Sequence, residues 1–287
     1  MLRSVRLSAL CPQQSHHEAA PNRDYSMSPA TTHRLTDHHT FVGFRESHHA
    51  KEHITTSPTT SPLIRFDRVG KTYRAADVET TALDALDLTI NQGEFVALMG
   101  PSGCGKSTLL NIVGMLDTPS SGAYLFEGED VTRHGERRLA ELRKRNIGFI
   151  FQSFNLIDEL TVAENVELAL LYHDVAASER RARAAEALEQ VGMAHRAEHR
   201  PAQLSGGQQQ RVAVARAVVS APKLILADES TGNLDSQHGA EVMALLRQLN
   251  AEGATVVMVT HSHTDARHAK RIINMLDGRI ADIAKAA

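Results

Sequence analysis

The segment from Gly100 to Thr108 constrains this chain more than any other part of its sequence. It reads Gly-Pro-Ser-Gly-Cys-Gly-Lys-Ser-Thr and matches the G-x-x-x-x-G-K-[ST] pattern of a phosphate-binding loop. An apolar run at residues 94–99 precedes it, and a run with little polar surface at 107–116 follows it. The pattern therefore predicts a buried strand, a loop whose backbone N–H groups surround a phosphate, and a helix whose dipole adds positive potential.

Several residues of this segment are expected to bind a nucleoside triphosphate. Lys106 is expected to reach the terminal phosphates, and the Ser107 hydroxyl to bind a Mg²⁺ ion. The other members of the predicted phosphate site are Gly100, Pro101, Ser102, Gly103, Cys104, Gly105 and Thr108. We interpret Cys104 as a small loop residue, with a redox switch as the alternative, because an adduct on its thiol would block the phosphates.

The overall composition argues against some classes of function. A formal net charge of −3 and a pI near 6.6 give no basic excess, so we expect no nucleic-acid partner. The longest apolar runs, such as residues 162–172, contain charged residues and fall short of the roughly 18 residues that a membrane span needs. Any membrane role is therefore expected to depend on a partner.

Residues 1–62 differ in composition from the rest of the chain. They hold half of the 16 histidines among Ser, Thr and Pro, without sustained periodicity. Such a segment buries too little apolar surface to offset its ordering entropy, so we predict a disordered, His-rich N-terminal tail. Metal binding is the alternative for a His-rich tract, but these histidines lack the regular spacing of a metal site.

Short segments after the tail have the pattern of β-strands. Residues 63–67 and 86–90 alternate between apolar and polar side chains, as half-exposed strands do, and residues 122–131 predict a strand, a turn and a strand. Residues 224–227 and 255–260 are continuous apolar runs, which are typical of parallel strands covered on both faces.

Charged amphipathic helices are predicted between these strands, at residues 137–145 and 178–193. The second helix is expected to bury one stripe of apolar side chains, namely Ala182, Ala185, Leu188 and Val191. Strands that alternate with helices predict a doubly wound α/β core, and the helices between about 133 and 200 are expected to form a lobe inserted into it.

Two acids, Asp228 and Glu229, follow directly on the apolar run at 224–227. A carboxylate at the C-terminal end of a parallel strand, beside a phosphate loop, is placed to organise Mg²⁺ and its waters, and Asp228 fits that position. Glu229 fits a general base that polarises an attacking water. An acidic pair at a strand end is otherwise an ordinary turn or helix cap, but the phosphate loop in the same chain favours the catalytic interpretation.

The sequence Leu-Ser-Gly-Gly-Gln at residues 204–208 precedes a predicted helix at 209–219. Serine and two glycines before a helix are first a capping signal, yet a hydroxyl, glycine N–H groups and a helix dipole also bind anions. With this segment the chain resembles the nucleotide-binding subunits of ABC transporters, whose signature it is. The resemblance covers residues 63–283, a span that we therefore predict to be one ATP-binding domain.

That resemblance implies a fold and further site residues. The fold is the P-loop NTPase domain of ABC proteins, with an antiparallel β subdomain and a helical subdomain inserted at about 133–220. Tyr73 resembles the aromatic residue that stacks on adenine, and Gln152 the glutamine that senses Mg²⁺ and contacts the membrane partner. Asp235 belongs to the loop that crosses the dimer interface, and His261 matches the histidine that holds the γ-phosphate and orients Glu229.

The resemblance also implies an assembly and two cofactors, ATP and Mg²⁺. Two copies form a head-to-tail homodimer in the presence of ATP, and each ATP lies between one copy's phosphate loop and the other copy's signature. The residues that then contact ATP from the opposite copy are Ser205, Gly206, Gly207, Gln208 and Asp235. The dimer is expected at the cytoplasmic face of the inner membrane, bound to an integral-membrane permease.

Longer stretches, at residues 151–156, 161–166 and 227–236, resemble one branch of the family, which powers macrolide-type efflux and lipoprotein release. Its permeases have four spans and a large extracytoplasmic domain. Subunits of amino-acid importers share much of this wording, so an importer ATPase stays an alternative, as do a soluble non-transport ABC ATPase and a P-loop kinase. Ser230 departs from the family, which usually has proline after the catalytic glutamate; serine leaves that turn freer.

Overall fold

Residues 62–75 and 78–285 are described by the computed structural model, so the predicted tail, apart from Pro62, lies outside the described residues. In chain order the strands are β1 (Pro62–Ala75), β2 (Val78–Asn91), β3 (Phe95–Met99), β4 (Ser121–Phe126), β5 (Glu129–Asp130), β6 (Ile147–Ile150), β7 (Leu224–Asp228), β8 (Thr255–Val259), β9 (Arg271–Leu276) and β10 (Arg279–Lys285). The α-helices are α1 (Lys106–Val113), α2 (Glu136–Asn146), α3 (Val162–Glu167), α4 (Ala177–Gln190), α5 (Gly206–Val218), α6 (Ser236–Ala251) and α7 (His263–Ala266).

A four-stranded antiparallel sheet holds the first strands in the order β2-β1-β4-β5. Strands β1 and β2 form a long hairpin, and β4 pairs with the outer side of β1. The strands predicted at 63–67 and 86–90 lie within this hairpin, and the predicted strand–turn–strand at 122–131 is β4 and β5. The antiparallel β subdomain implied by the family resemblance is thus confirmed.

The second sheet has the order β10-β9-β3-β8-β7-β6 and is parallel except for its edge strand β10. Its central strands are buried on both faces, so successive side chains enter two different cores. In β7, Leu224 and Leu226 pack with α1, α2 and the antiparallel sheet, whereas Ile225 and Ala227 pack with α3 to α6. This two-sided burial explains why the strand reads as a continuous apolar run.

Helix α4 confirms the helix predicted at 178–193 within a few residues, but the predicted buried stripe is half wrong. Leu188 and Val191 are buried, whereas Ala182 and Ala185 are exposed. The buried positions on this face are instead Ala184 and Ala187. The helix is rich in alanine, so composition does not distinguish neighbouring faces; the large residue Leu188 selects the positions one turn before it.

The helical lobe predicted from residue 133 onward contains a strand of the parallel sheet. Strand β6 pairs with β7, and Ile147 packs in the same core as Leu139 of α2. Helices α3, α4 and α5 contact one another and follow β6 in sequence. The short apolar run Ile-Gly-Phe-Ile of β6 is long enough for an edge strand of the sheet but too short to show a period.

Three adjacent parallel strands, β3, β8 and β7, bring the predicted site together. Because parallel strands end at the same edge of a sheet, the loop after Met99, the acids at the end of β7 and the residues after Val259 lie at one edge. The backbone N–H of Thr260 donates to Leu98 O at 3.2 Å, and the N–H of Glu229 donates to Val259 O at 3.0 Å. These bonds join the strand ends directly.

Candidate nucleotide site

The phosphate loop folds around the side chain of Lys106. Gly100, Gly103 and Gly105 have φ values of 150°, 79° and 100°, in the region that favours glycine. The Lys106 ammonium is buried inside the loop and donates to the carbonyl oxygens of Gly100 at 2.9 Å and Pro101 at 2.8 Å. Helix α1 begins at this residue, so the ammonium and the positive end of the helix dipole lie together.

Neighbouring strands support the loop from outside. A Cβ on Gly105 would lie 2.4 Å from Ala82 O of β2, and one on Gly100 would lie 2.3 Å from Met275 O of β9. The N–H of Gly278 donates to Cys104 O at 3.1 Å. The glycines are therefore required by close backbone approach as well as by φ, a constraint that the loop pattern alone did not reveal. Cys104 is buried, which fits its interpretation as a small packing residue.

Glu229 and His261 meet at the sheet edge beside the loop. Glu229 Oε1 lies 2.9 Å from His261 Nε2, and both side chains remain partly exposed. The prediction that these two residues act together rests on family resemblance, and the structure brings them into direct contact. Asp228 precedes Glu229 at the end of β7, as predicted.

Electrostatics at Asp228 favour a cation. Burial raises the pKa of the Asp228 carboxyl, the negative charge of Glu229 raises it further, and the positive charge of Lys106 opposes the rise. Two neighbouring acids in a partly desolvated site repel each other, and a bound cation relieves that repulsion.

The backbone holds Glu229 in an unusual conformation. Its φ is 45°, in the left-handed region that non-glycine residues seldom adopt, and its carbonyl accepts the N–H of Gly232 at 2.9 Å. Ser230 is buried, and its Oγ has no hydrogen-bond partner among the described residues. Serine in place of the usual proline therefore does not leave the turn free, because backbone bonds on both sides of it are formed.

The signature segment caps helix α5. The Ser205 hydroxyl accepts the N–H of Gln208 at 3.3 Å, and Gln208 Oε1 accepts the N–H of Ser205 at 3.0 Å, which is a reciprocal capping box. Ser205 is exposed, so its hydroxyl and the following N–H groups face outward. The capping interpretation is thus correct, and it leaves the outward anion-binding interpretation possible for the same residues.

Gly207 lies against helix α6, which begins after Asp235. A Cβ on Gly207 would lie 2.4 Å from the ring of His238. That ring lies 2.6 Å from Asp235 Oδ2 through its Nδ1 atom, and hydrogen bonds from the backbone N–H and the ring of His238 hold the pKa of Asp235 below its usual range. His238 therefore joins the predicted signature to the predicted interface loop. Sequence reasoning missed it, because nothing marks it among 16 histidines.

Two further polar contacts organise the segment after Glu229. Asn233 Nδ2 donates to Gln152 O at 3.0 Å, and Gln152 Nε2 donates to Asn233 Oδ1 at 3.3 Å, so the predicted Mg²⁺-sensing glutamine is tied to the loop before Asp235. Thr231 Oγ1 donates to Asp265 Oδ2 at 2.7 Å. Asn233 and Asp265 were also missed, since their partners are distant in sequence.

Tyr73 lies near the end of β1 with its ring partly exposed. Its hydroxyl donates to Asp117 Oδ2 at 2.9 Å, so its recorded side-chain hydrogen bond is to the turn after α1 rather than to the phosphate loop. The adenine-stacking role of Tyr73 stays a prediction.

The residues predicted to hold Mg²⁺ provide the oxygen ligands that this ion prefers. Among the described residues, no three His, Cys, Asp or Glu side chains form a ready-made metal cluster. Mg²⁺ usually keeps several waters and takes only one or two carboxylates beside substrate phosphates. The desolvated carboxylate of Asp228 fits that description, together with the exposed Ser107 at the start of α1 and the amide of Gln152.

A glycine-rich loop between a buried parallel strand and a helix, with acids on the neighbouring strand, defines a P-loop nucleotide-binding protein. A family model described as "ABC transporter" matches residues 83–232. The chain belongs to the ABC transporter family, as its ATP-binding ATPase cassette. The family inferred from the motifs is thus confirmed.

Relatives with known sequences fall into two groups by length. A macrolide export ATP-binding/permease protein of Paracoccus denitrificans is 52% identical over 222 residues, which cover 77% of this chain and 33% of the relative. The chain thus spans about a third of the length of the macrolide export relatives it matches. An uncharacterized ABC transporter ATP-binding protein of Thermotoga maritima is 51% identical over 217 residues, covering 76% of this chain and 93% of the relative.

Solved structures of similar proteins are cassettes. The dimeric structure of a bacterial ABC transporter cassette is 46% identical, has a TM-score of 0.73, and matches 78% of this chain and 99% of its own. A dimeric ATP-binding cassette in a post-hydrolysis state, bound to ADP and Pi, is 44% identical with a TM-score of 0.73, over 78% of this chain and 99% of its own. Within the described part of this chain, no helix has the length and apolar character required to cross a membrane.

Proposed function

We propose that this chain powers export through a membrane permease, as a homodimer that binds two ATP molecules between its copies. The observation that carries the proposal is the position of the signature segment. Ser205 and the first N–H groups of α5 face outward at the end of a helix, and the chain's own phosphate loop lies at the edge of the parallel sheet. Two copies arranged head to tail would complete each site from two sides.

Within one copy, each residue has a distinct role in this proposal. Lys106 leaves its loop carbonyls to bind the β- and γ-phosphates, which the loop N–H groups also contact. Glu229 accepts a proton from the attacking water as general base, and His261 orients Glu229 and holds the γ-phosphate. The contact of 2.9 Å between these two side chains supports that division of work.

Mg²⁺, when bound, neutralises charge on the phosphate oxygens. Ser107, Gln152 and Asp228 are the residues that would hold it. The raised pKa of Asp228 supports this assignment, because a carboxylate beside Glu229 has unfavourable charge repulsion that a cation removes. The contact between Gln152 and Asn233 would carry a change at the ion to the loop that holds Asp235.

From the second copy, Ser205, Gly206, Gly207, Gln208 and Asp235 contact the same ATP. The outward N–H groups of α5 and its dipole bind the γ-phosphate. Hydrolysis and departure of phosphate remove these contacts, so the dimer opens; the cycle is a population shift driven by contacts that exist only with ATP. Two dimeric relatives of known structure support this arrangement for the present chain.

A surface groove supports a membrane partner. It has a volume of about 720 Å³ and is lined by apolar side chains that include Phe149, Phe151 and Tyr172. Tyr172 is 77% exposed, and Leu116 beside it is 48% exposed. Exposed apolar surface of this kind marks an interaction site. Because the macrolide export relatives join an ATP-binding part and a permease in one protein, we assign the groove to a cytoplasmic segment of a permease.

Sedimentation of the Glu229→Gln variant tests the dimer. If ATP bridges two copies and hydrolysis separates them, this variant becomes dimeric with Mg²⁺ and ATP but stays monomeric with ADP. Glu252→Gln, an exposed acid at the end of α6, is the matched control and should not accumulate as a dimer. A Glu229→Gln variant that stays monomeric at saturating ATP would overturn the proposed clamp.

Co-purification tests the partner. A four-span permease with a large extracytoplasmic domain, expressed with this chain, should retain it, and Tyr172→Asp should reduce the retained fraction at least fivefold because a charge enters an apolar contact. The variant's unfolding midpoint should stay at the wild-type value, since Tyr172 is exposed. Retention by a six-span importer permease instead would contradict the export assignment.

A further inference from the structure

The residues around Tyr73 form a compact polar cluster that the proposed nucleotide chemistry does not use. The Lys71 ammonium donates to Asp117 Oδ1 at 2.5 Å and to Thr118 O at 2.8 Å. Asp117 also accepts the Tyr73 hydroxyl at 2.9 Å through its other oxygen. The Lys71 ammonium lies 5.0 Å from the centroid of the Tyr73 ring, within the range of a cation–π contact. The Tyr73 side chain is thus held at its hydroxyl and at one ring face.

Asp117 is rigidly connected to the helix that carries the phosphate loop. The N–H groups of Leu116 and Asp117 both donate to Asn111 O, at 2.8 and 3.3 Å, so the turn after α1 continues the helix. The same turn is bonded to β1, because Ser120 N–H donates to Gly70 O at 2.8 Å. Helix α1 begins at Lys106. The position of the Tyr73 ring is therefore referenced to the phosphate loop through one continuous element.

The cluster is stable as a charged pair. The Lys71 side chain is 12% exposed and that of Asp117 27%, so both are largely shielded from solvent. Partial burial raises the pKa of Asp117, but the hydrogen bonds from Lys71 and Tyr73 outweigh it and leave the pKa below its usual value. Asp117 is consequently ionised at neutral pH and accepts both donors.

We propose that Asp117 and Lys71 are positioning residues that hold the Tyr73 ring for the adenine base. One ring face is covered by the Lys71 ammonium, and the hydroxyl is fixed by Asp117, which leaves the exposed part of the ring for stacking. A ring fixed before binding avoids the ordering penalty of a free side chain. This inference rests on the proposed role of Tyr73, and it assigns base recognition to two residues outside the motifs.

The test compares binding of ATP with binding of inorganic tripolyphosphate, which lacks the base. For the full chain with Mg²⁺, Asp117→Ala should weaken ATP about three- to tenfold, the expected effect of freeing one aromatic side chain, and leave tripolyphosphate unchanged. Tyr73→Phe keeps the ring and removes the hydroxyl, so it should give a loss of similar size. The double variant should bind ATP no more weakly than the worse single variant, because both changes remove one contact.

Asp67→Ala is the matched control, since Asp67 lies on the same strand in an exposed ion pair with Arg65 and does not contact Tyr73. It should change neither ligand. Equal weakening of ATP and tripolyphosphate by Asp117→Ala would overturn the inference, since it would reveal a general effect on the loop. Unchanged ATP binding in Asp117→Ala and Tyr73→Phe, with weakened binding in Tyr73→Ala, overturns the positioning role alone. Unchanged ATP binding in Tyr73→Ala overturns the adenine-stacking role itself.

Discussion

Glu229 Oε1 lies 2.9 Å from His261 Nε2, although the two residues leave different strands of the parallel sheet. The contact forms because β7 and β8 are adjacent and parallel, so their C-terminal ends coincide. Glu229 is further held by its N–H bond to Val259 O, in a backbone conformation with φ of 45°. A glutamate held so firmly by strand ends suits a base that must act at one position.

Replacement of Glu229 by glutamine should separate binding from turnover. The amide keeps the shape of the side chain but cannot accept a proton, so we expect ATP hydrolysis to fall by about 10²- to 10⁴-fold, the usual contribution of a general base. The ATP dissociation constant should change little. Steady-state hydrolysis and equilibrium binding on the same preparation check both, and near-normal turnover would refute the assignment.

Lys106→Ala should weaken ATP binding and hydrolysis together. It removes the ammonium that reaches the phosphates, and it also leaves the carbonyl oxygens of Gly100 and Pro101 without their donor. Titration with ATP measures the first effect and steady-state hydrolysis the second. Lys223→Ala, at an exposed ion pair with Glu127, is the control and should alter neither. Normal ATP affinity in Lys106→Ala would show that the loop has another role.

Asp228→Asn should stabilise the fold without nucleotide while abolishing Mg²⁺-dependent hydrolysis. Burial and the Glu229 charge raise the pKa of Asp228, so its ionisation opposes folding. The wild-type chain therefore loses stability as the pH rises from the ordinary aspartate range through the raised pKa, and the asparagine variant does not. Denaturation between pH 4 and 8 should show the variant's advantage growing with pH; an advantage that shrinks with pH would contradict the electrostatic account.

Gly207→Ala should destabilise the chain, whereas Gly206→Ala should not. A Cβ at 207 would lie 2.4 Å from the His238 ring, but one at 206 would meet Phe154 at an ordinary 3.6 Å. Overpacking costs about 1–3 kcal/mol, which exceeds the helix preference of alanine over glycine of roughly 0.5–1 kcal/mol. Denaturant unfolding measures the difference. Adding His238→Ala should recover part of the loss, because the ring is removed while its Cβ remains; no recovery would place the strain elsewhere.

Much of this fold follows from local sequence pattern. The buried runs that became β3, β7 and β8, and the loop around Lys106, are read from short segments whose meaning does not depend on distant residues. The alternating stripes in the antiparallel sheet are equally local. Features of this kind are predictable because hydrophobic period and glycine spacing are properties of consecutive residues.

Other features depend on partners far along the chain. Nothing in the sequence around Gln152 indicates its contact with Asn233, 81 residues later, and the His238 ring against Gly207 is equally unmarked. The exposed positions of Ala182 and Ala185 follow from how α4 packs, since alanines offer little contrast between faces. Tertiary packing selected among alternatives that the local pattern left equal.

Mixing two inactive variants tests the shared ATP site most directly. Lys106→Ala removes the phosphate loop's cation, and Ser205→Arg places a large side chain at the exposed signature position of a capped helix. Each variant alone should hydrolyse little ATP. In a mixed dimer, the intact phosphate loop of one copy faces the intact signature of the other, so the mixture should regain activity well above either variant. A mixture no more active than the mean of its components would contradict a site built from two copies.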